Sequence, residues 1–503
     1  MARMNDRTPH LRFFAASLAL AGALSLPSCS DDDDCPAPQP PPPTTFSHAD
    51  YFGENPYSGP NMNTACVGCH LDVVNDMMQT GHWNWSGTSA NLAGMEAEVH
   101  GKVDILNNFC IAIPSNEGRC TQCHIGVGWA DKNFDLGDPA GVDCLVCHDT
   151  TGTYAKNPTK AGLPVAGLDW QAIAAGLGMP RRNNCGACHY GAGGGDNVKH
   201  GDLAANLNST TREYDVHMGT DGADFSCQTC HVADENHGIG GMPFHSVDEG
   251  SMRSCADCHD GDPHANAPSA AQQIITSHPT LACQVCHIPA IARFRTTKTE
   301  WYWRTAGDQQ RQPQDVGDGR FDYDKMKGDF VWESNVRPTL RRHDGKWNKM
   351  VVGVNDTYTG TPSPTDPVVL GEPAAPKDPA QAGANTRIYP FKKMIADQVA
   401  DTVNQRIMVP HLFGTKGGPN PYWGNYDWNL ALQDGAAYLN IPYSGTFGFV
   451  ETVMYLSVNH EVAPKSMALG AGGCFDCHGL DQQTGRPLID WSELGRTDPM
   501  GAR

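Results

Sequence analysis

Residues 120–148 read CTQCHIGVGWADKNFDLGDPAGVDCLVCH, and two C-x-x-C-H groups stand in this one stretch: Cys120-Cys123-His124 and Cys144-Cys147-His148. Two thiols a short turn apart can form thioethers to one porphyrin, and the histidine behind them can swing its imidazole under the iron. Six more such groups lie on either side: Cys66-Cys69-His70, Cys185-Cys188-His189, Cys227-Cys230-His231, Cys255-Cys258-His259, Cys283-Cys286-His287 and Cys474-Cys477-His478. Sixteen of the 19 cysteines are thereby used. No two groups pair in the matched-loop pattern of a zinc site. A redox dithiol explains neither the repeated histidine nor the number of repeats. The reading is eight covalently attached haem c groups.

Seven of the eight motifs fall between residues 66 and 287, at intervals as short as 24 and 28 residues, too close for independent domains. The haems must pack against one another. Apolar residues make up 39% of the 503-residue chain, below the usual figure of about 45–50%, while 54 glycines and 36 prolines favour turns. These features predict a mainly α fold with much irregular structure, organised around eight haems that replace much of an ordinary core. Between His287 and Cys474 the chain changes character, with Trp301-Tyr302-Trp303, Tyr422-Trp423 and Tyr426-Asp427-Trp428 clusters and a proline- and glycine-rich run, TGTPSPTDPVVLGEPAAPKDPA, expected to form an exposed loop. Two segments there, YPFKKMIADQVADTVNQRI and GTFGFVETVMYLSVNHEVA, read as helical. This region is expected to cover the haems and deliver remote ligands, its aromatic residues packing against porphyrin or protein.

The expected organisation is an export signal (1–28), an acidic and proline-rich tether (29–46), a haem-rich core with seven motifs (47–295), a covering and ligand-supplying region (296–460), and the eighth haem with a tail (461–503). The signal reading rests on basic residues followed by FFAASLALAGALSL, a stretch shorter than the roughly 20 residues of a transmembrane helix. Leu26-Pro27-Ser28-Cys29 resembles a bacterial lipobox, which implies a lipid anchor on Cys29 and a place in the periplasm or on the outer membrane. An ordinary signal peptide is the alternative. The net charge of −20 argues against nucleic acid as a partner.

Thirteen of the 21 histidines lie outside the motifs. They suffice to give every iron a second imidazole, so counting requires no open site. His82, His217, His237, His245, His264, His278 and His460 are the candidate distal ligands, because each lies in the motif-dense region or directly before the last motif. The motif histidines His70, His148, His189, His231, His259, His287 and His478 supply the near side. Bis-histidine ligation suits electron transfer, whereas a catalytic iron must keep one face open.

The stretches NNFCIAIPSNEGRCTQCHIGVGW, DCLVCHDTTGTY, NNCGACHYGAGGGDNVKHGDL, KGDFVWESNVRPTLR and YLSVNHEVAPKSMALGAGGCFDCH resemble the octahaem tetrathionate reductase family of multihaem c cytochromes, relatives in haem arrangement of hydroxylamine oxidoreductases and pentahaem nitrite reductases. The resemblance spans about residues 60–490. It implies one haem, on Cys120 and Cys123, with a lysine amine as axial ligand and a face open to substrate. By position it implies Lys199 as that lysine, with Asn107 and Cys110 lining the open side. Lys156 in GTYAK is the competing lysine. Cys110 can also be read as a small buried hydrophobe, or as the partner of Cys35 in a disulfide.

The resulting expectation is an oxidoreductase that reduces small sulfur or nitrogen oxyanions, with tetrathionate, nitrite or hydroxylamine as substrates and a redox protein or quinol-linked cytochrome as electron donor. The rival is a lipid-anchored electron conduit with no catalytic haem. None of the motifs has the C-x-x-C-K form usual at the active haem of related nitrite reductases. Nor does any motif assign one of the 14 tyrosines to the porphyrin crosslink of hydroxylamine-oxidising enzymes.

Overall fold

The computed structural model describes residues 47–59, 62–241, 252–259 and 261–501. The export signal, the tether, Cys29, Cys35 and His245 lie outside the described residues. Among those described, no helix is long and apolar enough to cross a membrane.

The motifs sit on short helical turns. Cys66 to His70 lie within the helix Met62–Met77, which departs from helical geometry at His70 (φ −121°). Others ride on Glu117–Cys120, Leu145–His148, Arg182–His189, Cys283–His287 and Phe475–His478. Single 3-10 turns carry Cys227 and Cys255. Turns this short have little stability of their own, so their geometry depends on what they are tied to.

The mainly α expectation fails beyond residue 296. That region builds a nine-stranded mixed sheet, so the fold is α/β. Its centre is the long strand Arg387–Asp401, antiparallel to Phe447–Ser457 from Phe391↔Ser457 to Asp401↔Phe447 and parallel to Thr297–Tyr302 on the other side. Sequence periodicity points to helices for both central strands, and the run expected as an exposed loop, TGTPSPTDPVVLGEPAAPKDPA, holds a third buried strand, Val368–Pro373. The misreading has a physical cause: Arg387–Asp401 is buried on both faces for most of its length, so the two-residue alternation that marks a half-exposed strand is missing. Pro390, which argues against a central strand, lies just before the first residue paired to Phe447–Ser457.

The sheet carries the main apolar core. Trp301, Trp303, Leu370, Met394, Val399 and Leu432 belong to it, and so do Leu106, Phe109, Ile111 and Val198 from the haem-motif half. Trp301 stacks on Trp303 at 5.1 Å and Tyr422 on Trp428 at 3.8 Å between ring centres. These aromatic clusters are therefore packing elements of the protein interior, and the segments around residues 107–112 and 198 are anchored to the same block.

Candidate functional site

A cavity of about 4030 Å³ runs past the motif cysteines at 120–123, 185–188, 227–230, 255–258 and 283–286. Single small-molecule sites measure about 300–1,000 Å³. This one has room for several large cofactors.

Across that space the chain pairs its histidines. Ring centres lie 6.1 Å apart for His70 and His48, 6.2 Å for His189 and His82, 6.1 Å for His259 and His217, 6.3 Å for His231 and His460, 6.0 Å for His287 and His264, and 6.2 Å for His478 and His278. Two imidazole–metal bonds of about 2 Å, plus roughly an ångström from each nitrogen to its ring centre, sum to about 6 Å. Each pair joins one motif histidine to one remote histidine. The residues present therefore fit an iron held between two imidazoles. His148 is close enough to His237 for their charges to interact, and the His237 Nδ1 is buried without a hydrogen bond.

Of the seven remote histidines selected from sequence, five take part in these ring pairings, His237 interacts with His148 through charge, and His245 lies outside the described residues. The seventh partner, His48, was not selected. Its position upstream of the first motif was the only signal, since the helix His48–Glu54 that carries it is short. His411 and His100 have other work: His411 contacts Asp434 and the Phe413 carbonyl, and His100 bridges Asp104 and Glu98.

His124 differs from the other seven motif histidines. It is wholly buried in a box of Trp83, Trp85, Trp129 and Phe134. Its Nε2 donates to the Trp83 carbonyl at 2.5 Å, and its Nδ1 accepts from the Gly126 amide at 3.0 Å. Burial pushes its pKa down to about 3. The ring is neutral, and both nitrogens are occupied.

Lys199 borders the same cavity as Asn107, Cys110, Cys120 and Cys123. Burial, aided by the nearby charge of Lys102, pushes its amine down to about 8, toward the neutral form that can donate to a metal. Between Lys199 and Cys110 runs the left-handed turn at Gly193 (φ 81°) and Gly194 (φ 96°). A Cβ on Gly193 would lie 3.2 Å from the Lys199 Cβ, and one on Gly194 would lie 3.9 Å from the Cys110 Sγ. Lys156 is committed elsewhere: its ammonium donates to the carbonyls of His124 (2.5 Å) and Gly126 (2.8 Å) and lies 3.4 Å from Asp143.

Asn107 uses its amide oxygen to accept from the Phe109 N–H at 3.0 Å, leaving its NH₂ as the end available to a ligand. Burial raises the Cys110 thiol above its ordinary value, outweighing the opposing charges of Lys327, Lys298 and Arg119. Cys110 is therefore a thiol, not the activated thiolate that an electropositive site would give. Lys298 sits over the rings of Phe330 (3.2 Å) and Trp301 (3.8 Å), and the Lys102 ammonium sits 3.7 Å over Trp85. Burial pushes the Lys298 pKa well below the ordinary lysine value, so this amine counts less as a charge than as a group packed on the rings.

Helical turns bearing C-x-x-C-H groups around one large cavity, with imidazoles paired across it, define a multihaem c-type cytochrome, an oxidoreductase of electron transport. The crystal structure of an octaheme cytochrome c from Shewanella oneidensis is 38% identical in sequence, covers 90% of this chain and 97% of its own, and matches with a TM-score of 0.75. The chain belongs to the octahaem cytochrome c family. Residues 298–481 also match the family described as bacterial cytochrome c. An uncharacterised protein of Archaeoglobus fulgidus is 25% identical over 237 residues, which span 37% of this chain and 77% of that protein.

Proposed function

We propose that the chain carries eight haems and reduces small sulfur or nitrogen oxyanions, such as tetrathionate, nitrite or hydroxylamine, at the haem attached through Cys120 and Cys123. Lys199 would hold the iron of that haem through its amine. The histidine pairs His70–His48, His148–His237, His189–His82, His231–His460, His259–His217, His287–His264 and His478–His278 would hold the other seven, which would supply it with electrons. The observation that carries this reading is the withdrawal of His124: six motif histidines lie 6.0–6.3 Å from a remote histidine, whereas both His124 nitrogens are hydrogen-bonded elsewhere.

The bound haem supplies electrons and a Lewis-acidic iron for breaking an S–S or N–O bond. The protein's own residues prepare the place. Lys199 presents a desolvated amine, and the buried Trp83 carbonyl keeps His124 from competing for the metal. The Asn107 NH₂ and the Cys110 S–H orient an oxyanion as uncharged donors. Lys102 and Lys327, which border the cavity, attract an anion toward a site that the overall charge of −20 would otherwise repel. Export, a lipid anchor on Cys29 and a periplasmic or outer-membrane location complete the proposal, with a redox protein or quinol-linked cytochrome as donor.

Mass spectrometry of the mature protein tests the haem number, and electronic and EPR spectra with and without nitrite or tetrathionate test the site. One non-bis-histidine haem that alone responds to these anions is expected. Eight bis-histidine haems, none responding, would leave an electron conduit.

A further inference from the structure

The buried lysine in the middle of the sheet, Lys392, has no role in anything described so far. It lies on the central strand and is 1% exposed. Burial pushes its pKa down to about 7, opposed by the charge of Asp202, so the ammonium form holds there only if each of its protons is taken. Here all three are. The Lys392 ammonium donates to the carbonyl of Val198 at 2.5 Å, to the carbonyl of Lys199 at 3.3 Å and to the Thr297 hydroxyl at 2.8 Å. An ammonium has three donors and no acceptor, so the match is complete.

The Thr297 hydroxyl passes the arrangement on, donating to the Asn197 carbonyl at 2.6 Å. One residue earlier, Arg320 donates to the Asp196 carbonyl at 2.7 Å. Four consecutive carbonyls are therefore held, 197 to 199 from the nine-stranded sheet and 196 by Arg320 of a separate two-stranded ribbon. The amides of Asn197, Val198 and Lys199 turn the other way and donate to the carbonyls of Tyr190, Gly195 and Ala192. This segment belongs to neither a helix nor a strand. Without these partners its buried carbonyls would be unsatisfied, and its backbone would have no defined position.

We propose that Lys392, acting with Thr297, is a positioning residue: its ammonium clamps the backbone of Val198 and Lys199 so that the Lys199 amine is presented to the haem on Cys120 and Cys123. The inference rests on the assignment of Lys199 as the ligand. It also gives the sheet a function, since two of its strands, Arg387–Asp401 and Thr297–Tyr302, supply the clamp. A ligand held by a rigid support binds its metal more tightly than one that must be ordered on binding.

The test uses the mature holoprotein and exogenous imidazole as a competitor for the lysine-ligated iron, followed by EPR and near-infrared magnetic circular dichroism. In Thr297→Val imidazole displaces the lysine at roughly tenfold lower concentration, as expected for one lost charge-assisted hydrogen bond, and in Lys392→Met, which removes all three, at roughly tenfold lower concentration or less. Thr297→Ser keeps the hydroxyl and keeps the parental value. The bis-histidine signals stay unchanged in all three. An unchanged displacement concentration in Lys392→Met overturns the clamp. If that variant is not recovered folded, equal displacement in Thr297→Val and Thr297→Ser overturns it. Lys199→Met is the control: a parental lysine signal there overturns the ligand assignment, and the clamp with it.

Discussion

Replacing Asp202 by asparagine tests whether His460 is an axial ligand. The Asp202 carboxylate is 1% exposed and lies 3.3 Å from the His460 Nδ1, the ring nitrogen that would face away from an iron shared with His231. A carboxylate in that place sits about 7 Å from the metal, where a unit charge at an effective dielectric of about 20 is worth about 2.4 kcal/mol. It favours the ferric state over the ferrous state by that amount. For a one-electron couple, with about 59 mV for each factor of ten, this corresponds to about 100 mV. Asp202 also accepts the amides of Asn459 (2.7 Å) and His460 (2.8 Å), whose dipoles offset part of the charge. The expected change is therefore a rise of about 50–100 mV in the midpoint potential of one haem. Spectroelectrochemical titration of the holoprotein resolves such a shift against an unchanged remainder. No displaced component, or a component displaced to lower potential, would refute the ligation of His460 and the electrostatic reasoning together.

Other outcomes follow from the same geometry. His48→Ala leaves the haem on Cys66 and Cys69 with one imidazole, so the resting spectrum gains the high-spin signal of a single haem; an unaltered low-spin spectrum contradicts the His48–His70 pairing. Asp498 accepts from the His478 Nδ1 at 2.6 Å, and Asp498→Asn should raise a single haem potential in the titration that reads Asp202. Leu370, wholly buried in the sheet core, should cost about 2–5 kcal/mol when truncated to alanine, measured by thermal unfolding of the oxidised protein.

The cofactor chemistry was legible without coordinates, because thioether attachment demands two cysteines and a histidine in fixed order and nothing else explains eight repeats of that order. The remote histidines were partly legible, since short intervals between motifs restrict which imidazoles can reach which cavity wall. What the sequence hid was the sheet. Arg387–Asp401 is buried on both sides and buries Lys392, Asp397, Gln398 and Asp401 among its apolar residues, so no two-residue alternation marks it, and periodicity distinguishes helix from strand only when one face meets water.

The linear order of residues determined which chemistry this protein holds, because covalent attachment is a local event within five residues. Tertiary structure decided which histidine meets which, and why His124 meets none. Those contacts join residues as distant as His231 and His460, or Lys392 and Val198. Folding around the cavity brings them together, through burial and hydrogen bonding that local sequence does not encode.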